Sequence, residues 1–353
     1  MDKEQFTTLI RSSLWWDSKL PLTAGIAYAL AWRLHVPYPA LVYPMLLLLL
    51  GGVTSAIYAS VFNDLMDEDE DRLAGKVTGM MQLSPAGKKT VLALTLTAML
   101  VTAALLFRYP SAFVLYLVMW VTFTLYSLPP VRLKSRGAWG VLCVALGEHF
   151  LPLLATALIA STAGARPPIA WLMALVVFAM AFGIRSILWH QLEDASNDRV
   201  SGTSTLGAKY DERLLRRLGE RYIFPVELGS FALFLALSGS WTAWGALVIY
   251  LSLEILRVRF FRVKVVVVAP EPNFRFVMLE YYQLFFPLAY LLEYVRHDNR
   301  AVAMLAAQIL LFPGPVVLAC STVAYIVGRC LVPGVGKRAR RTLSRLRPKK
   351  SQA

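Results

Sequence analysis

The chain has 353 residues, of which 57% are hydrophobic and 16% charged, with a formal net charge of +14. A composition that apolar over this length excludes a soluble globular domain, and the apolar residues fall in long blocks. The surplus cations lie in loops between those blocks, the usual positive-inside bias of a membrane protein, so they do not point to nucleic acid as a partner.

In chain order, residues 1–17 are too polar for a secretory signal. Phe6, Leu9, Ile10 and Leu14 recur at helical spacing, which predicts an amphipathic segment lying on the inner leaflet. A hydrocarbon core of roughly 30 Å needs about 20 apolar residues per helix. Blocks of that kind recur near 18–35, 39–62, 88–107, 110–128, 138–162, 167–189, 222–239, 241–256, 276–294 and 301–329. They predict an all-α, polytopic membrane bundle of nine or ten transmembrane helices over residues 18–330, followed by a basic cytoplasmic tail at 331–353. The last block contains "FPGP" at 312–315, which should kink or break it. Cationic loops at 131–136, 209–221 and 257–264 alternate with short, nearly uncharged ones, which sets the basic loops and the tail in the cytoplasm. The expected setting is a plasma or inner membrane. Cys143, Cys320 and Cys330 have neither metal-site nor disulfide spacing.

The stretch "NDLMDEDED" at 63–71 packs six carboxylates into eight positions at the end of an apolar block. Such a cluster repels itself unless a cation sits among it. At about 100° per residue, Asn63, Asp67, Asp71 and Asp64 share one helical face. A calcium loop is excluded, because the sixth position is Arg72 rather than Gly and the twelfth is Thr78 rather than Glu. A second pair, Asp194 and Asp198, lies at i, i+4 in "HQLEDASNDRVSGTSTL" (190–206), again just past an apolar block. Magnesium binds through one or two carboxylates together with substrate phosphate oxygens. Two acidic faces without His or Cys partners therefore point to Mg²⁺ and a phosphorylated ligand. Between them, "YSLPPVRLK" (126–134) supplies Arg132 and Lys134 as counter-charges and Tyr126 as a hydrogen-bond donor, with Lys76 a further cation.

These three motifs, in this order, resemble those of the UbiA superfamily of intramembrane prenyltransferases, over roughly residues 15–295. The resemblance implies a helical bundle around a central cavity. It implies that Asp64, Asp67, Asp71, Asp194 and Asp198 are catalytic and, with Asn63, hold Mg²⁺. Asn63, Lys76, Tyr126, Arg132 and Lys134 would bind the diphosphate of an isoprenyl substrate whose tail runs into the membrane. The activity implied is transfer of the isoprenyl group to an aromatic or lipid acceptor. The alternative is a membrane terpene cyclase of the same family, which needs no acceptor. Two departures bear on the subfamily: "GKVTGMMQLSP" keeps Lys76 but lacks the family's Arg-Pro, and the second motif opens "WHQLED". Ionisable groups at membrane depth are functional candidates. Glu148 and His149 either take the acceptor's proton or serve packing. His190 is either a base or a hydrogen-bonded helix-end histidine. Arg185 would orient Asp194 or contact diphosphate.

Overall fold

The structure is a computed structural model that describes residues 3–37, 39–163, 166–268 and 271–331. The tail expected at 331–353 lies outside the described residues from 332 on. Apolar runs bounded by Pro, Gly and charged residues become helices in chain order: α1 (Lys3–Leu9), α2 (Ser12–Arg33), α3 (Pro39–Met66), α4 (Glu68–Leu73), α5 (Pro85–Leu106), α6 (Pro110–Ser127), α7 (Ala138–Ala145), α8 (Leu151–Ala160) and α9 (Ile169–Glu193). There follow α10 (Ala195–Ser201), α11 (Leu206–Lys209), α12 (Glu212–Leu218), α13 (Phe224–Ser238), α14 (Trp241–Phe261), α15 (Phe286–His297), α16 (Val302–Leu311) and α17 (Pro313–Leu331). The exception to an all-α reading is a short parallel pair, β1 (Lys264–Val266) with β2 (Phe274–Phe276), in register from Lys264 opposite Phe274.

Among the described residues, six helical runs are long and apolar enough to cross a membrane: α3, α5, α6, α7 through α8, α9, and α12 through α13. A seventh is formed if α16 and α17 count as one span, although the two are bent by 85° at Phe312. The expected nine or ten spans are therefore not all met. The blocks at 18–35, 241–256 and 276–294 are mostly helical, but they hold or adjoin charged residues such as Asp17, Lys19, Glu254, Arg257 and Glu280, and they are not among those six runs. The break at 312 follows from "FPGP", since Pro313 and Pro315 cannot donate backbone hydrogen bonds. Its loosened backbone is met by α2: the Trp16 indole donates to the Leu311 carbonyl at 2.5 Å, and Asp17 accepts from the Gly314 N–H.

Three helices contain a wider π-turn, at Leu146–Phe150, Gly219–Ile223 and Tyr281–Phe285. Each turn ends two residues before a proline: Pro152, Pro225 and Pro287. A proline inside a helix removes one N–H donor and crowds the carbonyl four residues back. One wide turn relieves that crowding without ending the helix, and such turns often carry functional side chains. Glu148 and His149 sit within the first of them.

The central elements are α9 and the α7–α8 run, while α5, α6 and α13 present Leu94, Leu100, Val114, Val118 and Leu233 outward. Outward apolar faces on helices that are apolar all round suit a lipid environment. Inside, Arg185 of α9 forms a fully buried fork with Glu227 of α13 at 2.5 and 2.7 Å. Tyr282 donates to the same carboxylate at 2.9 Å, and Arg185 donates to the Val267 carbonyl at 3.0 Å. Leaving one member of such a pair unpartnered is costly, whereas replacing both by apolar groups is often tolerated. Glu227→Ala is expected to destabilise the protein by about 3–5 kcal/mol, and the pair Arg185→Met with Glu227→Leu to recover most of that loss. Unfolding midpoints in detergent check this; a Glu227→Ala midpoint equal to that of the unaltered chain would refute it.

Candidate active site

The two acidic segments are built alike. Helix α3 ends at Met66, Asp67 caps the short α4, and the Asp71 N–H returns to the Asp67 carbonyl at 2.8 Å. Helix α9 ends at Glu193, Asp194 caps the short α10, and the Asp198 N–H returns to the Asp194 carbonyl at 2.9 Å. In each case a long apolar helix reaches its polar end and a second carboxylate follows one turn later. The α10 segment closes at Gly202, whose φ of 74° is the left-handed conformation that glycine adopts without strain. Helices α4 and α10 pack against each other, so both acidic segments line one cavity.

That cavity has a volume of about 810 Å³. At one end it is lined by Asn63, Asp64, Asp67, Asp71, Asp194 and Asp198. Farther in, its wall is Leu47, Tyr116, Met119, Phe123, Leu151 and Ile159. Asp64 is fully buried, with one oxygen paired to Arg11 and the other, Oδ2, without a hydrogen-bond partner among the described residues. Lys134, itself buried, pairs with Asp67. Ser127 donates to the Asn63 amide oxygen at 2.9 Å, which joins the 126–134 segment to the first motif.

Lys76 and Lys134 act on both acidic segments. Burial pushes the Asp71 carboxyl above the usual range, neighbouring Asp67 adds to this, and Lys76, Arg11 and Lys134 oppose it. Burial likewise raises Asp198, while a 2.7 Å hydrogen bond from Thr205 and the charges of Lys76 and Lys134 hold it back. A carboxylate raised in this way favours the folded protein most in acid, and that contribution is lost as pH rises through the raised value. The cavity wall carries eight carboxylates against four cationic side chains.

Among the diphosphate-side residues expected from the sequence, Asn63, Lys76, Tyr126 and Lys134 line the cavity. Arg132 does not; it is held behind the first motif by Glu70, at 2.5 Å to Oε2, and by Asp67 at 3.0 Å. Of the acceptor-side candidates, Glu148 and His190 line the cavity. His149 is buried on the opposite side of its turn, with its ring 4.6 Å from Phe182. Arg185 neither orients Asp194 nor faces the cavity, because Glu227 engages it in the core. As the helical wheel implied, Glu68 points away, where a hydrogen bond from Lys88 holds its carboxyl below the usual range.

Sequence reasoning missed Glu70, Arg11 and Lys19, all of which line the cavity. Glu70 had a signal: seven residues after Asn63, it falls only about 20° from it around the helix. Lys19 pairs with Glu148 across the wall, and nothing in the spacing of either residue announces the other.

No three Asp, Glu, His or Cys side chains among the described residues converge as a ready cation cage. Cationic side chains stand between them instead, as Lys134 does on Asp67. The arrangement is therefore an intramembrane chamber with an acidic, lysine-studded entrance and an apolar interior, a setting for an amphiphile with an anionic head.

Comparison with known proteins agrees with this class. The sequence profile of the UbiA prenyltransferase family matches residues 20–276. The chain belongs to that family, and it is an integral membrane protein. In fold it is similar to a UbiA homologue from Archaeoglobus fulgidus bound to GPP and Mg²⁺, with a TM-score of 0.57 and 21% identity over 82% of this chain and 97% of that one. The same homologue bound to DMAPP and Mg²⁺ gives a TM-score of 0.53 and 20% identity over 82% and 97% of the two chains. No curated protein sequence matches the chain.

Thr205→Val removes the hydrogen bond that restrains Asp198. The Asp198 carboxyl is then expected to titrate at higher pH, with a stability change of about 1 kcal/mol. Infrared difference titration against Asp198→Asn reads this directly, and an unmoved carboxyl band would show that the bond does not tune the group.

Proposed function

We propose that the protein is a Mg²⁺-dependent intramembrane prenyltransferase that moves an isoprenyl group from its diphosphate to an aromatic or lipid acceptor. The observation that carries this is a single cavity joining two acidic helix ends to an apolar interior. A prenyl diphosphate has the matching form, an anionic head on an apolar chain. Support comes from family membership and from the homologue of like fold that is bound to GPP and Mg²⁺.

The donor set fits magnesium. It is all hard oxygen, it includes the buried and unpartnered Oδ2 of Asp64, and acids outnumber cations in the wall. Asp64, Asp67 and Asp71 would hold the ion from one side, with Asn63, and Asp194 and Asp198 from the other. Bound there, Mg²⁺ neutralises the diphosphate and stabilises the charge it gains on leaving. Lys76 and Lys134 donate to phosphate oxygens, and Tyr126 donates from the wall beside them. The apolar interior keeps water from the allylic cation that forms as the C1–O bond breaks. Phe123 and Trp189 line the cavity and would supply aromatic rings for that cation. Glu148, set in its π-turn and paired with Lys19, is the acceptor-side group, with His190 next to it as a second proton acceptor. The entrance faces the cytoplasm, since the segment bearing Arg132 and Lys134 lies at the same end as the acidic motifs.

The test uses purified protein with Mg²⁺ and geranyl, farnesyl or geranylgeranyl diphosphate, following pyrophosphate release and extracted products. Release that depends on an added membrane extract, with a prenylated product, is the expected outcome. A cyclic hydrocarbon or alcohol formed without acceptor would make the protein a cyclase instead. Asp64→Ala and Asp194→Ala are each expected to lower release by at least about a hundredfold, the usual scale for loss of a preorganised charge at the reacting centre, with the unfolding midpoint little changed. Retained turnover in either variant would sink the two-sided site.

A further inference from the structure

The cavity entrance has a cover that none of the motifs contains. Helix α1 and the turn after it bring Thr7, Thr8 and Arg11 into the cavity wall beside Asp64, Asp71 and Lys76. Of the four apolar residues expected on the membrane surface, Phe6 and Leu14 are exposed, while Leu9 and Ile10 are buried within the protein. Leu9 packs with Val61 and Met80, so it bridges α3 and the loop after the first motif. The seat is close: a Cβ on Gly79 would stand 2.5 Å from the Leu9 Cα and 2.9 Å from its backbone nitrogen. Trp15 fastens the far end by donating to the Ile10 carbonyl at 2.9 Å.

Arg11 sits at the turn between α1 and α2 with φ 50° and ψ 36°. The left-handed conformation is strained for a non-glycine residue, and such strain persists where the surroundings enforce it. Here it turns the guanidinium inward onto Asp64, while about a third of the side chain stays open at the entrance. A guanidinium carries five donors in a planar fork that matches phosphate oxygens two at a time. The pair with Asp64 engages Nη2. Residues 3–11 also precede the stretch that the family profile matches, which begins at residue 20.

We propose that residues 3–11 form a clamp over the head-group end of the cavity, with Arg11 as a phosphate-binding side chain for the substrate's diphosphate. The proposal rests on the prenyl diphosphate reading above. Arg11 adds a third cation to Lys76 and Lys134, pairing with Asp64 where Lys134 pairs with Asp67. Asp64 then has a second duty: it aims the guanidinium as well as facing the cation site. The clamp closes on the head group and leaves the apolar interior untouched, so it selects for the diphosphate and is indifferent to the length of the prenyl chain.

The test is equilibrium binding of geranyl diphosphate to the full chain in detergent with Mg²⁺, together with hydrogen exchange of residues 3–14. Arg11→Gln is expected to weaken binding at least tenfold, and Arg11→Lys to restore part of it. Gly79→Ala, which changes no charge but displaces the Leu9 backbone, is expected to weaken binding in the same direction. Geranyl diphosphate should slow exchange over 3–14 in the unaltered chain and not in Arg11→Gln, a response that a purely structural Asp64 partner would not give. Equal binding by Arg11→Gln and the unaltered chain, or exchange that geranyl diphosphate leaves unchanged, would overturn the clamp alone. Failure of the unaltered chain to bind would overturn the prenyl diphosphate reading and the clamp with it.

Discussion

Everything in this molecule is arranged around the mutual repulsion of carboxylates at the end of an apolar cavity. Two unit charges 4 Å apart interact by about 4 kcal/mol at the effective dielectric of a protein surface, and more where water is scarce. Among the described residues the wall holds eight acids and four cations, so its acids outnumber its cations two to one. Lys134 on Asp67 and Arg11 on Asp64 each relieve one carboxylate, and Lys76 reaches across to both acidic segments. The excess of acid that remains is what the magnesium diphosphate head group proposed above would meet on entering.

The matching construction of the two acidic segments explains how that tension is borne. Each pair of carboxylates is one helical turn apart on a short helix, and each short helix is anchored by backbone hydrogen bonds to the end of a long one. The long helices α3 and α9 each carry buried residues along their length, which hold the acids where repulsion alone would not leave them. The buried fork between Arg185 and Glu227 serves the same end at a distance. It ties α9 to α13, and through Tyr282 to the turn before α15, behind the wall that carries Asp194.

Local spacing made the acidic motifs, the 126–134 segment and most of the apolar blocks legible in the sequence, because each depends on residues within one or two helical turns. Contacts made across the fold were not legible. Arg11 meets Asp64 from 53 residues away and Lys19 meets Glu148 from 129, and neither cation stands in a recognisable pattern. Arg185 looked like a site residue because it is an ionisable group at membrane depth, but Glu227, in another apolar block, absorbs it. The full count of nine or ten spans is not confirmed for a related reason. Hydropathy blocks measure apolarity without asking what the charges in and beside them do, and Glu254 and Glu280, inside two such blocks, are paired with Arg257 and Arg275 at their edges. The π-turns were written in the sequence as Leu-Pro, Phe-Pro and Phe-Pro, yet a proline alone does not say whether a helix will kink, end or widen.

The contact of Trp16 and Asp17 with the bend at Phe312 has a consequence for how the chain comes together. Helix α2 leaves the ribosome among the first elements, but the backbone groups that satisfy its indole and carboxylate are among the last. Until α16 and α17 arrive, the foot of α2, and with it the turn that aims Arg11, lacks part of its footing. The foot of α2 is therefore complete only once Leu311 and Gly314 have reached it, so a contact of the first long helix waits on residues made almost 300 positions later (295 from Trp16 to Leu311).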